Sequence, residues 1–541
     1  MKAMNSPPMS IPKNRLLSTV ASGAGTFGCG GAGPGSSVAV GAGGSTLSTS
    51  LGAASQGRRS KSVDIVIHRR FHRRQPWAHR PITGLRTAFP RDFWDDLAMA
   101  GRIFPGAVAP GRTHRKHIEG DGTPEFAAAG AELHHMNLGP GAKAVAEFEA
   151  AGLRLPNLEA IRDHRQDRVK QQLRERGYDG IIVMDPLNIR YLTDTTNMQI
   201  WVMHNASRYA FMSADGYTVL WDYENCEFLG GHNPRIDEVR HAIGSTYFLA
   251  GPRFHEISQR WADDIHAVIA EHCGPNARIA VDQVNYLEGT MLAGLGVTIE
   301  RGQEAMERAR LIKSADEIDA MRCAGVACVS AMDEMRQTVV PGMTETEAWS
   351  MLHAGNIKRG GEWIETQILA SGPRTNPWFQ EASSRVMEDG DILAYDTDLV
   401  GAYGMMIDIS RSWILGDKPA APAHQHVFDL ALEQINRNME LLRPGVTLYE
   451  LTHNAWTPPV DQYRHYSVLF HGVGQCDEWP DVYFPHAWED WGQEYALEPG
   501  VVMTVEAFVG SRSGGQGIKL EEQVVITEDG CDLVAHYPLD L

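Results

Sequence analysis

The chain has 541 residues, 43% hydrophobic and 22% charged, with a formal net charge of −19. That length exceeds what one core normally fills, so two folded domains plus an extension are expected. The acidic balance argues against a nucleic-acid partner, and no apolar run approaches the roughly 20 residues that span a bilayer, so no membrane partner is expected either.

Residues 1–125 stand apart. From Ser22 to Gly57 the sequence is dominated by Gly, Ala and Ser, a composition that buries too little apolar area to offset chain entropy, and disorder is expected there. The first 90 residues carry twelve Lys and Arg against a single acid, Asp64. Organelle transit peptides share that balance, but no Arg-bearing amphipathic helix stands out, so a disordered tail or an over-extended translation start is the preferred reading. The seven cysteines, 29, 226, 273, 323, 328, 476 and 531, are scattered and include no CxxC pair. They read as reduced thiols and point to a reducing compartment, the cytoplasm.

Globular patterning begins near residue 130. A helical stretch from Ile161 to Arg176 stops at Gly177, and the apolar run Ile181 to Met184 then reads as a buried strand ending in an Asp185-Pro186 turn. Further β-like runs at Tyr209 to Met212, Thr218 to Trp221 and Ile279 to Val281, with a helical pattern around Ile257 to Glu271, predict an α/β lobe over 130–309. A second domain over 310–541 is marked by Ser314-Ala315-Asp316-Glu317, a capping box opening a helix to about Gln337. Within it PGxTxxE occurs twice, from Pro341 and from Pro444, each copy placing a capping box before a helix, which suggests a duplicated α/β half.

The chemistry-bearing residues lie in this second domain. Between Asp391 and Trp413, two apolar runs flank Gly401-Ala402-Tyr403-Gly404 like a hairpin, and strand alternation predicts Asp396 and Asp398 on one face with Asp408 returning opposite. Exposed hairpin acids are the commoner case, but Leu393, Tyr395, Met406 and Ile407 make this setting apolar, and buried acids need a cation. Downstream, the β-like run from Val501 ends in Glu506, and Glu521 precedes the strand Val524 to Thr527, with His471 in between. Five carboxylates and one imidazole call for about two divalent ions, and the oxygen-rich set suits Fe, Mn, Co or Zn.

Read in order, these segments resemble the pita-bread fold of methionine aminopeptidases, prolidases and aminopeptidase P, whose two metals are held by Asp, Asp, His, Glu and Glu. Asp185-Pro186-Leu187-Asn188-Ile189-Arg190-Tyr191-Leu192 resembles the N-terminal domain of the creatinase and prolidase branch. The resemblance implies an α/β (α+β) chain, a creatinase-like lobe followed by a duplicated pita-bread catalytic domain. It departs from the peptidases at three points: the extra acid in Asp396-Thr397-Asp398, the absence of any histidine between His353 and His424, and Asp477 and Glu478 where the peptidases carry a second histidine. YDTDLVGAYG, IDISRSW, HGVGQCDEWP, DPLNIRYLTDTTNMQ and GIKLEEQVV are similar instead to the DddP-type dimethylsulfoniopropionate lyases.

That resemblance implies six metal ligands, Asp396, Asp398, Asp408, His471, Glu506 and Glu521, around two ions with Fe favoured. It also implies Asp477 as general base, Tyr466 as a substrate-pocket residue, a small sulfonium zwitterion as substrate, cleavage to dimethyl sulfide and acrylate, and a homodimer. A base must be ionised yet poorly solvated, and Trp479 and Val482 are the expected apolar neighbours of Asp477. A sulfonium prefers aromatic faces, for which Tyr466, Trp378, Phe379 and Trp479 are candidates. The competing readings are an Xaa-Pro metallohydrolase and a metal-free binding protein on the same fold.

Overall fold

The structure is a computed structural model and describes residues 139–541, apart from 225 and 232, together with the short strand 114–115. Apart from that strand, the expectations for residues 1–125 lie outside the described residues, as does Cys29. The other six cysteines are free thiols, and among the described residues no helix is long and apolar enough to cross a membrane.

The N-terminal lobe is a mixed seven-stranded sheet. Its strands are β1 (His114–Arg115), β2 (Gly180–Val183), β3 (Tyr209–Ser213), β4 (Thr218–Asp222), β5 (Glu238–His241), β6 (Arg278–Val281) and β7 (Thr298–Arg301), in the order β1-β5-β4-β3-β2-β6-β7. The predicted helix spans Leu158–Arg176: Asn157 accepts from the amides of Glu159 and Ala160 at its start, and Gly177, at φ +64°, closes it in the left-handed conformation that glycine tolerates. The expected turn at Asp185-Pro186 is instead a helix start. Asp185 accepts from the Leu187 amide, proline occupies the first turn where it costs no hydrogen bond, and the helix runs Pro186–Thr193.

In the C-terminal domain Ser314 caps a helix over Ala315–Thr338 with both bonds of the capping box made. Thr344 and Thr447 make the same paired bonds before helices Glu345–Ile357 and Leu448–Asn454. The likeness of the two PGxTxxE segments extends to the backbone, because Gly342 and Gly445 donate to the carbonyls of Met387 and Leu497, and those residues donate back to Met343 and Val446. The strands that matter for the site are β8 (Trp363–Ile364), β9 (Leu369–Ser371), β10 (Ile392–Tyr395), β11 (Leu399–Val400), β12 (Met406–Ile407) and β13 (Arg411–Ile414), forming sheets β13-β10-β9 and β12-β11-β8. A further sheet holds β14 (Tyr463–Arg464), β15 (Phe470–Val473), β16 (Asp477–Val482), β17 (Val502–Ser511), β18 (Ile518–Ile526) and β19 (Cys531–Leu533), in the order β16-β15-β17-β18-β19 with β14 on β17.

Alternation along β17 divides its residues. Met503, Val505, Ala507 and Val509 join a core with Val427, Phe428, Ala431 and Ile435 of helix Pro422–Met439, leaving Thr504 and Glu506 to point the other way. Burying each Val, Ile, Met or Phe of this set contributes about 1.5–3 kcal/mol, so the packed face fixes where the polar face looks.

Candidate metal centre

The polar face of the large sheet supplies one bank of the site. Glu506 and Glu521 are direct cross-strand partners on β17 and β18, and His471 on β15 stands opposite Thr504. Period-two alternation adds Lys519 and Gln523 to the same face. His471 Nε2 lies 3.1 Å from Glu506 Oε1 and 3.5 Å from Glu521 Oε1.

The facing bank is the interrupted hairpin. β10 pairs with β13 and β11 with β12, as a hairpin requires, but the ladder breaks at 396–398 and 408–410, where the acids sit. Strand alternation is therefore not what brings Asp396 and Asp398 together, because Asp398 has φ +40°, a left-handed conformation that takes it out of the strand. Ordered contacts hold this irregular turn. Thr366 donates to Asp398, Thr397 Oγ1 accepts from the Ile409 amide at 2.9 Å, and Gln523 accepts from the Asp408 amide at 2.7 Å. Asp396, Asp398 and Asp408 place carboxylate oxygens within 4.8 Å of one another, as do His471, Glu506 and Glu521 with their ligand atoms, and all six residues are buried.

Lys519 lies where the banks meet. Fully buried, it places Nζ 2.7 Å from Glu506, 2.9 Å from Glu521 and 3.2 Å from Asp396. Burial and neighbouring acids hold Asp398 and Asp408 well above the usual carboxylate range, and burial with Glu521 beside it pushes Glu506 to about 8. Burial would raise Glu521 too, but Lys519 and His471 hold it well below its ordinary value. Burial opposes the charge on His471, yet Asp477 and Glu506 hold its pKa well above the ordinary imidazole value. One lysine and one histidine cannot balance five buried acids, and Asp408 Oδ1 and Glu521 Oε1 have no hydrogen-bond partner. Buried carboxylate oxygens without donors cost about 1–3 kcal/mol each or more, so this set of carboxylates with one imidazole fits divalent cations.

Asp477 opens β16 at the rim of the cluster, with its side chain 53% exposed and Oδ1 3.5 Å from His471 Nδ1. The apolar neighbours expected of it are turned elsewhere: Val482 is buried opposite Phe470, and the Trp479 ring carries the Arg308 guanidinium 3.8 Å from its centroid. What adjoins Asp477 is Glu365, whose carboxylate accepts from the Asp477 amide at 3.3 Å. Tyr466 is half-buried, with Lys519 Nζ 4.6 Å from its ring centroid, and Phe379, 53% exposed, stacks on it at 4.8 Å. Trp378 is core instead: 6% exposed and stacked on Phe508, it has no face to offer a ligand.

Residues 319–528 match the model of Metallopeptidase family M24, and residues 165–324 that of the Creatinase/Prolidase N-terminal domain. A curated relative from Roseovarius nubinhibens, named dimethylsulfoniopropionate lyase DddP, is 45% identical over 429 residues, spanning 78% of this chain and 94% of its own. One of the same name from Roseobacter denitrificans is 43% identical over 427 residues, with 78% and 94% covered. The chain belongs to the DddP family of dimethylsulfoniopropionate lyases. It is therefore an enzyme, built from a creatinase-type lobe and an M24 pita-bread domain. The solved Xaa-Pro dipeptidase from Bacillus anthracis covers 70% of this chain and 98% of its own with a TM-score of 0.57, and at 20% identity it speaks to the fold alone.

Sequence reading passes over four residues that this DddP-family site brings in: Lys519, Thr366, Ser410 and Glu365. Ser410 Oγ sits between Asp396 Oδ1 at 2.8 Å and Glu521 Oε2 at 2.7 Å. Lys519 was findable, since it stands two residues before Glu521 in a strand and so shares its face. Thr366 and Glu365 carry no such signal, because only the tertiary fold brings their loop to the hairpin.

Proposed function

We propose that the protein cleaves dimethylsulfoniopropionate to dimethyl sulfide and acrylate by proton abstraction and β-elimination. The observation that carries this reading is a rim carboxylate, Asp477, placed beside a buried acid cluster that fits cations, in a chain whose curated relatives bear the lyase name. Asp396, Asp398, Asp408, His471, Glu506 and Glu521 hold two divalent ions in this reading, with Fe favoured by the family resemblance. When bound, those ions supply Lewis acidity that withdraws charge from the substrate carboxylate.

Asp477 takes the α-proton. The electron pair left on carbon forms the double bond of acrylate, and the C–S bond breaks to release neutral dimethyl sulfide. His471, 3.5 Å away, orients the base, and the Asp477 amide bond to Glu365 fixes where its strand begins. The exposed face of Phe379, whose other face stacks on Tyr466, meets the sulfonium, which offers no hydrogen-bond donor.

The same reading divides the folded chain into a lobe over 130–309 and a catalytic domain over 310–541, in the cytoplasm. It also makes the enzyme a homodimer. Exposed Met198, Ile200, Met203, Tyr247 and Phe248, with Trp201 edge-on to Phe248 at 5.9 Å, support a protein-facing patch, and light scattering at twice the chain mass checks it.

Headspace assay of the metal-loaded protein with dimethylsulfoniopropionate tests the reaction. Dimethyl sulfide above a chelated control is expected, and its absence together with cleavage of an Xaa-Pro dipeptide would restore the peptidase reading.

A further inference from the structure

The segment Asp185 to Leu192 takes no part in the chemistry above, yet it buries the polar side chains of Asn188, Arg190 and Tyr191. Asn188 Nδ2 donates to Asp282 Oδ2 at 2.9 Å, and the amides of Met184 and Asp185 hold the same carboxylate at 2.8 and 3.1 Å. So oriented, Asn188 presents its Oδ1 to Arg310, which donates to it through Nη1. Arg310 is buried where the N-terminal lobe adjoins the catalytic domain: Nε lies 3.0 Å from Glu478 Oε1, and Nη2 donates to Glu307. Glu478, also buried, accepts from the Gln475 amide at 2.9 Å and pairs with Lys313 at 3.0 Å. The second oxygen of Glu307 accepts from the Trp479 amide at 3.1 Å. Glu478 and Trp479, the two residues that follow Asp477, are thus tied to one guanidinium, whereas the Asp477 side chain is half exposed and its carboxylate lies 3.5 Å from His471 Nδ1.

We propose that Arg310 is a positioning residue for Asp477, acting through Glu478 and Glu307 and itself aimed by Asn188 and Asp282. The role rests on the reading of Asp477 as the base. A guanidinium suits it because its planar donors serve Asn188 and Glu307 in fixed directions while its charge pairs with Glu478, which a lysine ammonium cannot reproduce. The arrangement gives the creatinase-type lobe a task in the reaction: its sheet end sets the register of a loop in the other domain. Because base and substrate must meet within fractions of an ångström, a displacement of about 1 Å costs on the order of a hundredfold in rate.

The test compares Arg310→Lys and Arg310→Met with the metal-loaded parent. Expected is a fall in kcat on dimethylsulfoniopropionate of about tenfold for Arg310→Lys and about a hundredfold for Arg310→Met, with KM within about twofold and metal content per chain unchanged. In an Asp477→Ala background Arg310→Lys lowers the residual rate no further, because a residue that acts only through Asp477 has nothing left to position. Should Arg310→Met not accumulate as folded protein, Asn188→Ala keeps the ion pair and removes only its aim, and a kcat loss of about threefold with intact metal is expected. Unchanged kcat, loss of metal, or an equal loss in the Asp477→Ala background overturns the role. A parent that releases no dimethyl sulfide overturns the lyase reading and this role with it, whereas an active parent with unaffected variants overturns this role alone.

Discussion

The two banks of the candidate metal centre hold the same chemical groups by opposite means. Glu506 and Glu521 ride on long, regularly paired strands whose other face is packed against a helix, so their direction follows from backbone geometry and apolar burial. Asp396, Asp398 and Asp408 sit where a hairpin ladder fails, and individual hydrogen bonds hold the turn: Thr366 and Ser410 donate to Asp398 and Asp396, while Gln523 and Thr397 accept from the Asp408 and Ile409 amides. A site on regular elements is precise at no extra cost, whereas an irregular one depends on each supporting bond. The sheet bank should therefore be sensitive to loss of its ligands, and the hairpin bank also to loss of their partners.

The largest effect expected is on the sheet bank itself. Glu521→Ala removes an oxygen donor next to both Lys519 and His471 and lowers metal affinity by more than about 100-fold, beyond what loss of an outer partner costs. Metal analysis after gel filtration checks this, with turnover lost in parallel. Asp477→Ala belongs to neither bank; it should lower turnover by about 10²–10⁴ while metal content stays at the parent level, and metal loss would reassign Asp477 to the ligands.

Thr366→Val probes the hairpin bank. It keeps shape, deletes the hydroxyl that donates to Asp398, and should weaken metal binding by about tenfold by calorimetric titration. An unchanged affinity would erase the distinction between the banks.

Charge gives a subtler comparison. A carboxyl whose pKa is higher folded than unfolded binds more protons in the native state, so stability falls as pH rises between its ordinary value and the raised one. For Glu506 that window runs from 4.5 to about 8, and the raised pKa values of Asp398, Asp408 and His471 act in the same direction, whereas the lowered pKa of Glu521 acts only below its ordinary value of 4.5. Metal-stripped protein should lose several degrees of Tm between pH 5.5 and 8, and added Mn or Zn should raise Tm most at the upper end. The smallest effect is expected from Phe379→Ala, which removes one exposed aromatic face beside Tyr466 and should raise KM about threefold with kcat unchanged, the scale of one solvent-exposed cation–π contact.

What the sequence shows of this molecule follows the range of the interactions. Capping boxes at Ser314, Thr344 and Thr447, the glycine stop at Gly177 and the alternating run through Glu506 are local, and the structure has those elements at those places. The six acid and imidazole side chains could be grouped because each lies in or beside an apolar run, where an acid is conspicuous. The geometry at Asp398 was not legible, since alternation assumes a strand and φ +40° is not one. Nor was the fate of the aromatics: Trp378 and Phe379 are adjacent, yet one is core and the other stacks on Tyr466, a division set by the distant Phe508. Arg310 and Glu478, 168 positions apart, meet only in the folded chain.

The register of β17 on β18 has a consequence for how such a gene can change. Glu506 faces Glu521 and the turn between the strands includes Gly514 and Gly515, both at positive φ with open space around them. Lengthening that turn leaves the facing pairs intact, so descendants can vary there freely. Deleting a single codon between Val502 and Glu506 would instead turn the following residues over, sending the glutamate into the apolar core and putting Ala507 in its place. Within these strands, substitutions adjust the enzyme by degrees, while a one-codon frame shift of the pleat ends it at a stroke.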